Sequence, residues 1–222
     1  MEELTGTLIK TKIELPGLDC GLCGFKSCNQ FGEYISENSN EEGRCIYLNN
    51  KNKNKELKNN IIHEENKCTK LIDVLEREFD FILHPFPDKS GPYEFIGLFN
   101  PALVKELKIV KGDYIYGRPL NAGCPVTHCG QVRNVDNISG VIEWKVVGPM
   151  HIRENGGKDI SHYSIYGFDG FIKESAKELK IGMRYNFMPL KCMLQWRHSG
   201  LLTAITKVEG GYRVRVEGIC LG

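Results

Sequence analysis

The sequence predicts an α+β protein in which a small helix-and-loop cysteine module precedes a β-rich domain of two pseudo-two-fold repeats. That second domain is expected to be a barrel or sandwich with minor helices. Three observations support this: four of the nine cysteines lie between residues 20 and 45, short β-type runs divided by glycine begin near residue 91, and that later region overlays itself at an offset of 70 residues.

The first element is residues 1–48. Its central run, LPGLDCGLCGFKSCNQFGEYISENSNEEGRC, spaces its cysteines as Cys20-x2-Cys23-x4-Cys28-x16-Cys45. Clustered cysteines in a chain with no secretory leader are more often metal ligands than disulfides. An iron–sulfur cube needs four thiolates, one per iron. The x2 loop brings two sulfurs to adjacent corners, x4 wraps to a third, and the fourth returns after the next element. Gly21 and Gly24 each follow a ligand, where a side chain would keep backbone N–H groups from cluster sulfurs. Phe31, Tyr34 and Ile35 fall on one face of a short helix that covers the site, and Gly43 turns the chain back toward Cys45. Structural zinc prefers two separated close pairs of cysteines, and here there is one. The residues therefore point to one [4Fe–4S] cluster on Cys20, Cys23, Cys28 and Cys45.

The segment over roughly residues 13–47 resembles the four-cysteine [4Fe–4S] domain of the Rnf-complex B subunit and of the corrinoid iron–sulfur protein large subunit. It departs at Arg44-Cys45, where relatives often have Cys-Pro. The resemblance implies that all four matching cysteines bind the cluster and that the module exchanges electrons with a redox partner. Nothing beyond it matches a flavin or corrinoid pattern, so the destination of the electron is not inherited.

Residues 49–60, NNKNKNKELKNN, read as a polar linker. From Ile61 to about Phe81, Leu71, Ile72, Leu75 and Phe79 suit an amphipathic helix, ended by His84-Pro-Phe-Pro87. The β-rich domain is assigned to 61–222. Within it, strands are expected near Asp113–Tyr116, Val141–Val147, His162–Tyr166, Arg184–Phe187, Leu201–Ile205 and Arg213–Val216. Ser139-Gly140 and Glu209-Gly-Gly211 are hairpin turns, because glycine reaches positive φ without steric cost.

At the offset of 70, His128-Cys-Gly130 lies over His198-Ser-Gly200. Val132 then meets Leu202, Gly140 meets Gly210, and Trp144 meets Val214. Upstream, Pro119-Leu120 matches Pro189-Leu190. This pattern reads as a duplication, with repeats at about 93–148 and 163–218 that bury their apolar faces together.

The repeat raises a second candidate site. Pseudo-symmetry would bring Cys124, His128, Cys192 and His198 together as mixed N/S ligands for zinc or iron. Alternatively, a cysteine activated by histidine would act as a nucleophile, with Arg118 or Arg197 holding a small anionic ligand. Against this, Cys124 aligns with Leu194 and Cys192 with Ala122, so the cysteines are not symmetry-equivalent, and free cysteines are commonly buried as small hydrophobes. The loop Arg153–Lys158, flanked by His151 and His162, reads as a mobile turn. Cys68 and Cys220 read as packing residues, and Trp144 and Trp196 as core aromatics.

Composition narrows the function. A formal net charge of +1, with 26% charged and 41% hydrophobic residues, lacks the basic excess of a nucleic-acid binder. No apolar run approaches the ~18 residues of a membrane span, and the N-terminus lacks a secretory signal, so a cytoplasmic location is expected. Residues 1–50 carry four Lys+Arg against eight Asp+Glu, an acidic surface suited to steering a basic partner. The texture is like that of an anaerobe. The leading expectation is one-electron transfer with a protein redox partner, within a larger redox system. The alternatives are a cluster-dependent enzyme acting on a small anionic substrate at the Cys/His loops, and a maturation or binding factor whose cluster is structural or sensory.

Overall fold

The computed structural model describes residues 13, 15–48, 71–86, 93–97 and 99–222. Within them a small helical N-terminal part precedes a large β-sheet domain. The linker at 49–60, Cys68 and the first ten residues of the expected helix at 61–81 lie outside the described residues.

In the N-terminal part, helix α1 spans Cys28–Glu37. The Ser27 hydroxyl accepts from the Gln30 N–H at 3.2 Å and Asp19 Oδ1 accepts from the Cys28 N–H at 2.8 Å, which satisfies two of the four N–H groups a helix start leaves open. Phe31 and Ile35 are buried on one face, as their spacing predicts. A 3-10 turn over Ser39–Arg44, including Gly43, then returns the chain to buried Cys45. Phe25 and Tyr34 pack together, with the Arg44 guanidinium over both rings.

Residues 71–80 are a tight loop, not the end of a helix. Ile72 bridges Glu78, and Glu76 has φ 60°. The cause is Asp73: its Oδ1 accepts from the Leu75 and Arg77 N–H groups, and its Oδ2 from Arg77 Nε and the distant Arg197 N–H. A side chain that offers the backbone this many local partners competes with a helix. Ile72 and Leu75, which the helical pattern placed inward, are exposed.

Among the described residues ten strands form one sheet: β1 (Phe81–Leu83), β2 (Tyr93–Ile96), β3 (Tyr114–Pro119), β4 (His128–Val135), β5 (Ile142–Val146), β6 (Lys158–Tyr163), β7 (Ile165–Ile172), β8 (Arg184–Pro189), β9 (His198–Val208) and β10 (Gly211–Leu221). Helix α2 (Pro101–Glu106) and helix α3 (Pro149–Asn155) interrupt the series. The order is β1-β8-β9-β10-β7-β2-β5-β4-β3-β6. From either edge the same arrangement is met: an edge strand parallel to its neighbour, three further antiparallel pairings, then the central β7–β2 pair. One pair of hydrogen bonds follows the offset of 70, Gly112 N to Val132 O and Gly182 N to Leu202 O, both 2.8 Å; the donors Leu120 and Leu190 also follow it, but their acceptors, Tyr163 O at 2.9 Å and Leu83 O at 3.0 Å, do not.

The sheet is not closed. Its edges are β1 and β6, although β1 also touches the end of β7 through isolated bridges of His84 with Phe171 and Phe81 with Ser175. One buried cluster holds Phe81, Phe187 and Leu202 from one arm with Ile115, Ile142 and Trp144 from the other, so the sheet coils about a single core. The expected strand His162–Tyr166 is in fact the junction of β6 and β7, and β1, β2 and β4 were not foreseen as strands. Of Arg153–Lys158, the first three residues close α3 and Gly156, at φ 74°, ends it, so this segment is a helix terminus rather than an open turn.

Candidate functional site

Cys20, Cys23, Cys28 and Cys45 line one cavity in the N-terminal part, together with Phe31 and Tyr47. α1 starts at Cys28, and the 3-10 turn delivers Cys45 to the opposite wall. Among the described residues no three His, Cys, Asp or Glu side chains are grouped to hold a single metal ion. Four thiolates around one cavity are a donor set that an iron–sulfur cluster takes. Burial raises the Cys28 thiol above its ordinary value, against the opposing effect of backbone bonding near Asp19.

Gly21 and Gly24 sit at φ 76° and 89°, a region L side chains disfavour. The reason differs from the one the spacing suggested. The Gly24 N–H is taken by the Gly21 carbonyl at 2.9 Å, so it closes the turn and does not face the cavity as a free donor. A Cβ on Gly21 would stand 2.4 Å from Met150 Cγ, so that glycine lets the module approach the sheet domain.

The module is seated on the sheet domain. Lys191 Nζ lies 3.1 Å from Asp19 Oδ2 and also bonds the Gly17 carbonyl. The Tyr47 hydroxyl donates to the Met193 carbonyl at 3.3 Å, Lys26 pairs with Glu154 at 3.1 Å, and Gly148 packs directly against the Asp19 backbone.

Beyond this contact lies a second cavity, with about 680 Å³ of atom-free space that includes open solvent. Its mostly apolar wall includes Leu18, Val126, Val147 and Phe168, and its other lining residues include Cys124, His128, Cys192 and His198. The two loops singled out by the repeat therefore do meet. They do not form a four-ligand metal set, because each group is engaged separately. Cys124 Sγ lies 3.5 Å from His128 Nε2, and His128 Nδ1 lies 3.0 Å from Glu94 Oε2. The Tyr163 hydroxyl donates to Glu94 Oε1 at 2.5 Å and lies 2.9 Å from His128 Nδ1. His198 Nδ1 instead donates to the Trp196 carbonyl at 3.0 Å, and Cys192 Sγ points to the same carbonyl.

Glu94 is fully buried and holds a proton on His128 Nδ1, which leaves Nε2 to face the sulfur. Burial alone would lower the His128 pKa, but the Glu94 charge and the bond to Cys124 outweigh it and raise it to about 10. Burial alone would raise the Cys124 thiol; the His128 hydrogen bond and charge prevail, and it lies below its ordinary value. His198 has no such partner, and burial lowers it to about 4. Burial raises Cys192, and it raises Cys129 to about 11.

Arg197 is not an anion holder for this cavity. Its guanidinium donates to the Glu78 carbonyl at 2.8 Å, and its N–H to Asp73. Arg118 lies on β3 opposite His162 of β6 and does not line the cavity. The cation that does line it is Lys191. Sequence reasoning missed Glu94 and Tyr163, which come from strands remote from the Cys/His loops; a Glu within the apolar run Tyr93–Ile96 was the available signal.

A family model described as "Putative Fe-S cluster" matches residues 15–47, so this segment is an iron–sulfur binding one. No solved structure matches the chain. "Uncharacterized protein MJ0119" of Methanocaldococcus jannaschii is 35% identical over 221 residues, covering 93% of this chain and 90% of that protein. With the similarity running through both the cysteine module and the sheet domain, the chain belongs to the family of the Methanocaldococcus jannaschii protein MJ0119.

Proposed function

We propose that the protein is an iron–sulfur redox protein that holds one [4Fe–4S] cluster on Cys20, Cys23, Cys28 and Cys45 and exchanges single electrons with a protein partner. The observation that carries this reading is the shared cavity lined by all four cysteines within the matched segment. Bound there, the cluster supplies reversible one-electron chemistry. Phe31 and Tyr47 restrict water at the inner wall, and Leu22, 62% exposed between two of the cysteines, offers an apolar contact to a partner. The acidic N-terminal segment favours a basic one.

A second reading, that the chain carries out a reaction of its own, is favoured by the adjoining cavity. Leu18 lines that cavity and its neighbour Asp19 lines the cysteine cavity, so the two spaces share a thin wall. The matched strand order and the hydrogen bonds at the offset of 70 support a duplicated sheet domain, in which one copy has kept more polar groups at this cavity than the other.

Anoxic purification with iron and sulfide analysis tests the first reading. About four irons per chain are expected, with a signal from a half-integer-spin centre after one-electron reduction. Cys45→Ser should lower the iron content sharply. Full retention of iron in that variant, or zinc in place of iron in the native protein, would overturn it.

A further inference from the structure

The strand registers provide an internal control for the second cavity. Glu94 pairs with Phe168 across the central β2–β7 ladder. Tyr163 stands opposite Pro119, as Leu83 stands opposite Pro189, and Cys124 corresponds to Leu194 at the offset of 70. The half around His128 therefore holds Glu, Tyr and Cys where the half around His198 holds Phe, Leu and Leu. Accordingly, His198 packs edge-on against Phe168 at 6.4 Å between ring centroids, while His128 is ion-paired to Glu94. The same local fold is built without the polar groups, so packing does not require them.

We propose that Cys124 is a catalytic nucleophile whose sulfur, activated by His128 and oriented through Glu94 and Tyr163, takes an acyl group from a small, mainly apolar thioester or ester bound in this cavity. The cysteine and imidazole are in direct contact, the imidazole is fixed by a third group, and the lining is mostly apolar; this is the arrangement expected of an activated thiol. In the reaction, the Cys124 thiolate adds to the carbonyl carbon and the C–O π pair moves to oxygen. When that pair returns, the bond to the leaving group breaks, and the leaving group takes the proton from His128 Nε2. A thioester to Cys124 remains, and nothing is oxidised or reduced.

The ionisable groups facing the pair are Glu94 from β2, Cys129 on β4, Tyr163 from β6, His198 from β9, and Lys191 and Cys192 from the loop between β8 and β9. Lys191 is held by Asp19, and His198 and both other thiols are neutral at pH 7. Glu94 is therefore the charge that sets the state of His128, and His128 that of Cys124.

The test is S-butyryl-N-acetylcysteamine, with iodoacetamide as a second probe, on the full chain under anoxic conditions, followed by peptide mass mapping. Butyryl transfer to Cys124 is expected, with alkylation of Cys124 about tenfold or more faster than of exposed Cys220 at pH 7. In His128→Asn the rate at Cys124 should fall about ten- to a hundredfold at pH 7, and recover toward pH 9.5 as the thiol ionises unaided. If that variant does not fold, the native map still decides. An acyl group on another cysteine, no acyl group at all, or an unchanged rate in a folded His128→Asn would overturn the proposal. Iron content read on the same samples separates the two readings, because a chain without iron can still be acylated at Cys124, and one with iron can fail to be.

Discussion

Replacing Glu94 with Gln removes the charge of a fully buried carboxylate whose imidazole partner is 17% exposed, while keeping the side chain's shape and one acceptor. In the native fold His128 lies near 10 against an ordinary 6.5. That difference of about 3.5 corresponds to about 5 kcal/mol of preference for the imidazolium, an upper bound because Cys124 contributes part of it. Breaking a buried ion pair by removing one partner typically costs about 3–5 kcal/mol, the same range. The linkage has a definite sign. A raised histidine contributes stability that is complete below pH 6.5 and is lost as pH rises through about 10. The lowered Cys124 thiol works the opposite way, contributing in full above its unfolded value near 9 and losing that contribution as pH falls below it, so the measurement belongs in a Cys124→Ser background. There, stability of the Glu94-containing protein should decline by several kcal/mol between about pH 6.5 and 10, and the Glu94→Gln protein should start lower and decline little. Urea unfolding at fixed pH, with an NMR titration of the His128 ring, reads both. A native His128 titrating near 6.5, or parallel pH profiles for the two proteins, would refute the assignment of this pair.

Two further perturbations test how the module and the loop are held. Gly148→Ala would put a Cβ 2.1 Å from the Asp19 carbonyl oxygen, and a backbone neighbour cannot rotate aside; with Gly148 at φ −73° there is no dihedral strain to confuse the result. Faster amide exchange across 15–48, with β8–β10 unchanged, is expected, and an unaltered exchange pattern would show that the module is not seated there. Asp73 sits at about 2, where the hydrogen bonds of Arg77 and Arg197 overcome the upward push of burial. A lowered carboxyl stabilises above its unfolded value near 3.8 and loses that contribution as pH falls toward 2, here about 2.5 kcal/mol. Asp73→Asn should lower the melting temperature at pH 7 and flatten its dependence between pH 4 and 2.

The cysteine spacing made the module legible, and the pattern of Phe31, Tyr34 and Ile35 at i+3, i+6 and i+7 after Cys28 was legible because α1 buries one face, through Phe31 and Ile35. The helix over 71–80 was misread because its apolar periodicity was real but idle: Asp73 fixes the backbone through three N–H groups and also takes the Arg77 side chain, and composition alone does not weigh a side chain against a ladder. The offset of 70 lays segments of β3 and β5 over segments of β8 and β10, and His128-x-Gly130 at the start of β4 over His198-x-Gly200 at the start of β9, although β4 itself was not foreseen as a strand. It could not find β1 and β6, which pair in parallel with the opposite unit and so follow a different offset. Tyr163 reaches His128 through the β6–β3 pairing and Glu94 through the β2–β5 pairing, both long-range, which is why the cavity's polar set was seen as Cys and His alone.

Whether the polar set serves chemistry or merely fills space is decided by making one half like the other. The combined variant Glu94→Phe, Tyr163→Leu and Cys124→Leu copies onto the His128 half the residues that surround His198. Heavy atoms lost at 163 are regained at 94 and 124, but the apolar groups are bulkier, and the adjoining cavity has to take up the excess volume. The variant keeps His128, so the state it copies is that of the His198 half, where burial holds the imidazole neutral beside Phe168 without a carboxylate. The expected protein is therefore folded, at least as stable as the native one by urea unfolding, and has His128 neutral at pH 7 by NMR. A protein that unfolds or loses several kcal/mol would show that Glu94, His128 and Tyr163 are structural cement. A stable one would mean that the native chain keeps a buried carboxylate, imidazolium and thiol at a cost to its own stability, which is what a working site requires and a packing solution does not.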